Sequence, residues 1–405
     1  MRFFDQDRSV LAGLLSQRSL PLSRDVEAVV EALWDRTDQR PLAERLFQPQ
    51  VPADPAYQDF LLRRLIESGL LVDGEVDEAA AWNEYQVREL EPLPHVDQVE
   101  LTNACPMECP FCPRGRGEMT RSIGRLDLGL LAEIVAQVKQ LPPRKPFGLH
   151  HFGDPLLNPE LTRAVRIVAD AGLEPELSIN PGLLRPGQAE ALIDAGVGTL
   201  IVALDGFDTA TLQSMRGRAA GTFEQAAANV EQLIALAAQR QPVPTVVISM
   251  VATTLNRHQW PLLFEHYQRR ELPWLKPVLR ALDDFGNPDI TPLGVHRLRQ
   301  LCATPFHFVT VLWDGTVVPC CHDFDGRMAL GNLARHSLEQ VWAGDVYQRF
   351  RERFAHARFD DDEPCRRCPW HVVNYVQQDH IALSDAWTLA AWPERPWPSI
   401  RCRSA

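Results

Sequence analysis

Residues 96–112 read Val96-Asp97-Gln98-Val99-Glu100-Leu101-Thr102-Asn103-Ala104-Cys105-Pro106-Met107-Glu108-Cys109-Pro110-Phe111-Cys112. Val96 to Leu101 has strand character and runs straight into a loop that holds three cysteines in eight residues. Outward from this strand, apolar β-type segments alternate with helical ones. Strands are predicted at Val96 to Leu101, Phe147 to His151, Glu176 to Ile179, Thr199 to Leu204 and Thr245 to Val251. Helices are predicted between them, at Leu126 to Gln140, Pro159 to Ala171, Pro186 to Ala195, Phe223 to Gln239 and His258 to Arg270. Such alternation predicts an α/β fold with a parallel sheet, open or closed into a barrel.

The pattern changes on both sides of this region. Upstream, Val26 to Trp34, Pro41 to Phe47 and Tyr57 to Glu67 carry apolar residues at helical spacing. Leu70-Leu71-Val72 then reads as a short strand and Asp73-Gly74 as a hairpin turn. Helix, turn, helix, helix, strand is winged-helix order, and the polar stretch from Gln86 to Pro94 reads as a linker. Downstream of Cys302, Phe308 to Trp313, a turn at Asp314-Gly315 and Thr316 to Pro319 predict a β-hairpin. A helix is predicted at Leu338 to Phe354, and Asp360 to Glu363 reads as a solvated acidic loop.

Composition narrows the function classes. The 405 residues carry 41 Lys+Arg against 53 Asp+Glu, a net charge of −12, so bulk charge does not attract nucleic acid. With 45% hydrophobic residues, 17 Phe and 10 Trp, the chain can build sizeable cores and is not a disordered tail. No apolar run reaches the roughly 18 residues of a membrane span. The start Met1-Arg2-Phe3-Phe4-Asp5-Gln6-Asp7-Arg8 places acids where a signal peptide is apolar, which predicts a cytoplasmic protein without a membrane partner.

Nine cysteines, an odd number without a visible export signal, argue against a disulfide framework. They fall at 105, 109 and 112, and at 302, 320, 321, 365, 368 and 402. A structural zinc site wants four closed ligands, whereas a [4Fe–4S] cluster held by three cysteines leaves one iron open for a substrate or cofactor. The first group fits the iron–sulfur alternative better than a zinc loop that borrows a distant ligand. Cys302, Cys320, Cys365 and Cys368 are four thiols with a terminal Cys-x-x-Cys, enough for one closed cluster or a zinc ribbon. Neighbouring residues on a strand face opposite ways, so Cys320 and Cys321 cannot easily serve the same centre.

Cys105, Cys109, Phe111 and Cys112 match the Cys-x-x-x-Cys-x-aromatic-Cys signature of the radical S-adenosylmethionine (SAM) superfamily, which this region resembles. The resemblance implies a partial (β/α)6 barrel over residues 95–290. It also implies an open iron that chelates SAM, reductive cleavage to a 5′-deoxyadenosyl radical, and an external one-electron donor such as flavodoxin or ferredoxin. Gly153-Asp154-Pro155 resembles the family's glycine-glutamate-proline motif, with Asp in place of Glu. Ser178, Asn180, Asp205 and Arg216 stand where relatives place cofactor-side residues, and Asn256 follows the last predicted strand at a familiar place. An Arg216 paired with a structural carboxylate is the simpler alternative.

Residues 291–405 resemble the shortened twitch form of the SPASM extension, which implies one auxiliary [4Fe–4S] cluster on Cys302, Cys320, Cys365 and Cys368. Cys321 and Cys402 are left over, as tail or loop thiols or as hydrogen-atom donors to a substrate radical. Residues 1–94 resemble the PqqD-like peptide-recognition element, which binds precursor leaders by strand addition. The resemblances together imply radical chemistry in natural-product biosynthesis. The substrate is a ribosomally made precursor peptide (crosslinked, epimerised or oxidised) or, as the alternative, a small sugar or aminocyclitol. A non-catalytic metal scaffold or winged-helix regulator is the remaining class.

Overall fold

The computed structural model describes residues 2–5, 8–11, 93–139, 141, 146–280, 282–283, 285, 304–355 and 365. The winged-helix prediction, and Cys302, Cys368 and Cys402, lie outside the described residues. Near the N-terminus β1 (Arg2–Asp5) and β2 (Arg8–Leu11) form an antiparallel hairpin.

The remaining strands form one nine-stranded sheet. Its centre is β3 (His95–Val99), β4 (Phe147–Gly148), β5 (Pro175–Ile179), β6 (Thr199–Ala203), β7 (Thr245–Val251) and β8 (Leu275–Arg280), parallel and in chain order. Between them run α1 (Leu128–Val138), α2 (Leu161–Asp170), α3 (Gln188–Asp194), α4 (Thr209–Arg216), α5 (Phe223–Ala237) and α6 (Trp260–Tyr267). The five predicted strands are present, some shorter. The sixth, β8, escapes the apolar pattern because Lys276 and Pro277 interrupt it. Helix α4 escapes it too, since only Leu212 and Met215 are buried apolar residues there.

Local chemistry starts these helices. Asp127, Asp208 and Thr222 accept hydrogen bonds from Leu130, Thr211 and Gln225 backbone N–H groups at the starts of α1, α4 and α5. Helix α4 stops at Gly217, whose φ of 80° is open to glycine and costly for other residues. Leu177, Leu200, Val202, Val246, Ile248 and Met250 join the helix faces in one continuous core. Ile201, Val247 and Val278 form a separate small apolar cluster on the other face of the sheet. That face also carries the half-buried Gln98, Glu176 and Ser178. One face is thus oily and covered by helices, and the other mixed and partly open.

The predicted C-terminal hairpin forms as β9 (Phe308–Val311) and β10 (Thr316–Val318), preceded by the short helix α7 (Thr304–His307). It is not a separate layer. Strand β9 pairs parallel with β3, and β11 (Gly331–Asn332) closes that edge. The single predicted helix at 338–354 is two, α8 (Leu338–Ala343) and α9 (Asp345–Ala355), because Gly344 between them is extended. Ser337 and Gln340 form a capping box that starts α8.

Candidate functional site

The three-cysteine loop leaves the C-terminal end of β3 and turns back on itself. The Cys112 N–H donates to the Cys109 carbonyl at 3.1 Å, and Arg116 N–H to the Cys112 carbonyl at 3.0 Å. Gly115 packs on Cys109 so closely that a Cβ there would lie 2.4 Å from the Cys109 oxygen. Cys109 is buried, and Cys105 and Cys112 are half-buried. Cys105 feels the charges of Asp154, Cys109 and Cys112. Burial, reinforced by those negative neighbours and eased by the Met107 backbone, pushes the Cys105 thiol up to about 12. A loop of this kind presents thiolates only when a metal supplies the compensating charge.

Arg216, at the end of α4, ties this loop to the barrel. Its Nη1 donates to the Cys109 sulfur at 3.6 Å, and its guanidinium lies 5.5 Å from the Phe111 ring centroid. The Nε forms an ion pair with the fully buried Asp205. Asp205 also accepts from Val251 N–H at 2.6 Å, and Asn256 donates to the Asp205 and Val251 carbonyls. The buried Asp205 and the Cys109 thiol hold the Arg216 charge well above an ordinary arginine's range, against the desolvation that opposes it.

Gly153 places the loop after β4 against the one after β3. A Cβ at Gly153 would lie 2.0 Å from the Thr102 carbonyl oxygen, and Asp154 N–H donates to the Ala104 carbonyl at 2.9 Å. Both Asp154 carboxylate oxygens are taken by backbone, Leu156 N–H at 3.0 Å and Asn180 N–H at 2.9 Å. Burial pushes the Asp154 carboxyl up to about 6, while those two N–H groups and Arg216 pull it back. Pro155 opens the short turn that Asp154 caps. The Asn180 amide reaches back to the Met107 sulfur at 3.5 Å, so β5 also touches the cysteine loop.

A second constellation joins that loop to the hairpin. The carboxylate of Glu100, fully buried, accepts two hydrogen bonds from Arg121 at 2.8 and 2.9 Å, and one from Trp313 N–H at 3.2 Å. His151 Nδ1 is 3.2 Å from it, and His151 Nε2 is 2.9 Å from the Cys321 carbonyl. Burial alone would raise Glu100, but His151 and Arg121 outweigh it and hold the carboxyl at about 2. Phe152 packs edge-on to Phe285 and Phe324, and His322 pairs with Asp283 at 2.9 Å. Phe152 thus ties the residue next to Gly153 to rings from two later loops.

Cys320 and Cys321 lie in the turn after β10 rather than on the strand, so strand alternation does not separate them. The buried Tyr347 senses the charges of Cys320 and Cys365, while the Cys321 carbonyl engages His151. The Cys365 sulfur lies 3.7 Å from the Met328 sulfur. The fold therefore brings Cys105, Cys109, Phe111, Cys112, Gly153, Asp154, Pro155, Asn180, Asp205 and Arg216 to one pole. Ser178 stands half-buried on β5 nearby. Sequence reasoning missed Glu100, Arg121 and His151, though an acid ending an apolar strand and a His-His-Phe before Gly153 were visible signals.

Among the described residues no three His, Cys, Asp or Glu side chains converge on a single-ion position. An iron–sulfur cluster asks for something different, one thiolate on each of several irons, and the half-buried Cys105 loop offers that donor set.

With this geometry in place, the comparisons with known proteins define the class. Residues 99–266 match the model of the Radical SAM superfamily, and residues 302–369 match SPASM, an iron–sulfur cluster-binding domain. The chain is a radical SAM enzyme: SAM and a [4Fe–4S] cluster are its cofactors, and its SPASM region adds auxiliary iron–sulfur binding. The S-adenosyl-L-methionine-dependent 2-deoxy-scyllo-inosamine dehydrogenase of Niallia circulans is 20% identical over 274 residues, 67% of this chain and 91% of that one. The PqqA peptide cyclase of Rhodopseudomonas palustris is 29% identical over 138 residues, 32% of this chain and 33% of that one. Streptococcus suis SuiB bound to S-adenosylmethionine has the same fold, with a TM-score of 0.51 at 12% identity over 82% of this chain and 80% of that chain. Among the described residues no helix is long and apolar enough to cross a membrane.

Proposed function

We propose that residues 95–290 form a partial (β/α)6 barrel whose Cys105, Cys109 and Cys112 hold the SAM-binding cluster. We further propose that Cys302, Cys320, Cys365 and Cys368 hold one auxiliary cluster. The single observation that carries this reading is the loop at the end of β3, with three thiols in mutual electrostatic contact and Arg216 bonded to one of them. When bound, SAM and its cluster supply a 5′-deoxyadenosyl radical that takes a hydrogen atom from the substrate.

The chain's own residues prepare that event. Arg216 places positive charge beside the Cys109 sulfur, and Phe111 shields one side of the loop. The backbone at Gly153 to Pro155 and the turn at Asn180 border the cofactor; the Asp154 side chain shapes this border by holding backbone amides. Phe152, Phe285 and Phe324 keep water from the reacting centre. The polar residues of the open sheet face (Gln98, Glu176 and Ser178) meet the substrate. A product radical that is quenched rather than oxidised needs a hydrogen donor, the role we assign to Cys321 or Cys402.

The substrate we favour is a ribosomally synthesised precursor peptide, recognised through residues 1–94 and crosslinked, epimerised or oxidised. Support comes from the PqqD-like pattern there and from the peptide cyclase relative. A small sugar or aminocyclitol is the second reading, favoured because the inosamine dehydrogenase aligns along 91% of its own length. Anaerobic reconstitution is expected to give about eight irons per chain, and about four in the Cys105→Ala, Cys109→Ala, Cys112→Ala variant. Zinc alone in the wild-type chain would sink the reading. Deleting residues 1–90 is expected to abolish binding of a precursor leader; unchanged turnover of a small sugar by the shortened chain favours the second reading. A flavodoxin or ferredoxin is the expected electron donor.

A further inference from the structure

Two carbonyls of the turn after β10 are held by side chains from the cofactor end of the sheet. His151 Nε2 donates to the Cys321 carbonyl and Arg121 Nε to the Phe324 carbonyl, both at 2.9 Å. Glu100 stands between these two side chains. It accepts from Arg121 at 2.8 and 2.9 Å, and lies 3.2 Å from His151 Nδ1. Glu100, Arg121, the 321–324 turn and His151 therefore close a ring. Asp325 adds a second tie, accepting from Thr120 N–H at 2.7 Å, Thr120 Oγ1 at 2.6 Å and Arg121 N–H at 3.2 Å. The turn is also braced from within, because the buried Asp323 carboxylate accepts from Arg327 and Met328 N–H at 2.8 and 2.7 Å.

The ring reaches both loops that border the cofactor. His151 is two residues before Gly153, and Phe152 between them packs on the Phe324 ring at 5.5 Å. Gly153 lies against the Thr102 carbonyl, where a Cβ would come to 2.0 Å. The segment after Arg121 clasps this stretch in turn. Thr102 Oγ1 donates to the Gly124 carbonyl at 2.7 Å, and Asn103 Nδ2 to the Ser122 carbonyl at 2.9 Å. The His151 side chain is buried, so losing either of its bonds strands a polar group. Its two bonds do different work. The one to Glu100 joins the loop after β4 to the end of β3, and the one to Cys321 joins it to the hairpin.

We propose that His151 is a positioning residue for SAM. Through its bond to the Cys321 carbonyl, the turn after the hairpin holds Gly153 to Pro155 in the place that receives the cofactor. This rests on the reading that Cys105, Cys109 and Cys112 hold the SAM-binding cluster. SAM affinity is then set in part by a segment far along the chain, and by reciprocity bound SAM steadies that turn.

The test uses the full chain reconstituted anaerobically with iron and sulfide, kept oxidised so that added SAM binds without being cleaved. If the wild type binds no SAM, or the Cys105→Ala, Cys109→Ala, Cys112→Ala variant binds it as well, the cluster reading fails first, whatever His151 does. Equilibrium dialysis with labelled SAM is expected to give His151→Leu a dissociation constant at least about tenfold above wild type. His151→Gln, whose amide stands where Nε2 stood, is expected to stay within about threefold. His151→Asn, whose amide stands where Nδ1 stood and meets only Glu100, is expected to be as weak as the Leu variant. Hydrogen exchange reads the same coupling in the wild-type chain. There SAM is expected to slow exchange of the amides at 321–328 at least about threefold. Unchanged SAM affinity in His151→Leu overturns the proposal. So does equal rescue by Asn and Gln, or rescue by neither. Unchanged exchange at 321–328 overturns it in every case, and decides alone if the Leu variant fails to fold or to take up iron.

Discussion

Arg216, half-buried beside the Cys109 sulfur, and Arg351, buried on α9, are held in different ways. Arg216 has Asp205, a carboxylate with no exposure, as well as the Cys109 sulfur. Arg351 has two carbonyls, two aromatic rings and one unpartnered nitrogen. The first pole thus settles much of its charge within the protein, before any cofactor binds. At the second, the Arg351 Nη2 has no hydrogen-bond partner among the described residues. The difference teaches that the cofactor loop is organised by an internal ion pair, whereas Arg351 is held, among the described residues, by backbone carbonyls and aromatic faces.

The largest test of this division is chemical. The triple alanine change at Cys105, Cys109 and Cys112 is expected to reduce 5′-deoxyadenosine formation with a chemical reductant to background, a loss of roughly three orders of magnitude. Cys320→Ser and Cys365→Ser are expected to lose auxiliary iron while keeping that cleavage within about tenfold of wild type. Equal loss from both groups would erase the distinction between poles.

Next comes the ion pair. Asp205→Asn leaves the half-buried Arg216 beside a thiol without its carboxylate, and is expected to cost about 3 kcal/mol in urea unfolding. Adding Arg216→Met to it is expected to recover at least about 1 kcal/mol, because the stranded charge is gone. A double variant as weak as the sum of both changes would mean that packing, not charge, holds the first pole.

Glu100 belongs to both regions, since Arg121 and His151 come from the cofactor side and Trp313 N–H from the hairpin. Its carboxyl is held at about 2, against 4.5 ordinarily, so the folded state favours the charged form. The resulting stability, about 3 kcal/mol, is fully present above pH 4.5 and lost as pH falls from 4.5 towards 2. Glu100→Gln is expected to flatten that limb of the acid-unfolding curve. An unchanged limb would remove Glu100 as the electrostatic junction.

Much of the first pole was legible in the chain because its signals are local. Cys105 to Cys112 sit on one loop, and the strands feeding it are short apolar runs such as Thr245–Val251, whose middle five residues are buried. Arg216 was legible as a candidate, with a carboxylate-pairing alternative, and the fold realises that pairing with Asp205 while also reaching Cys109. Glu100, Arg121 and Trp313 were not legible, because their meeting depends on β9 docking in parallel on β3. Arg351 sits among Arg349, Glu352 and Arg353, and looks like one more surface charge until α9 folds its face inward. Strand β8 was missed for the opposite reason, a local proline and lysine inside a segment whose pairing with β7 overrides them.

The smallest expected effect concerns two adjacent thiols at the second pole. Tyr347 senses Cys320 and Cys365, whereas Cys321 offers its carbonyl to His151. A backbone contact survives a side-chain change, so Cys321→Ser is expected to keep the Glu100–His151 junction and the full iron content. Cys320→Ser is expected to lose the auxiliary iron. Counting iron in the two single variants, side by side, reads this directly. Loss of iron in Cys321→Ser, with iron kept in Cys320→Ser, would exchange the two assignments.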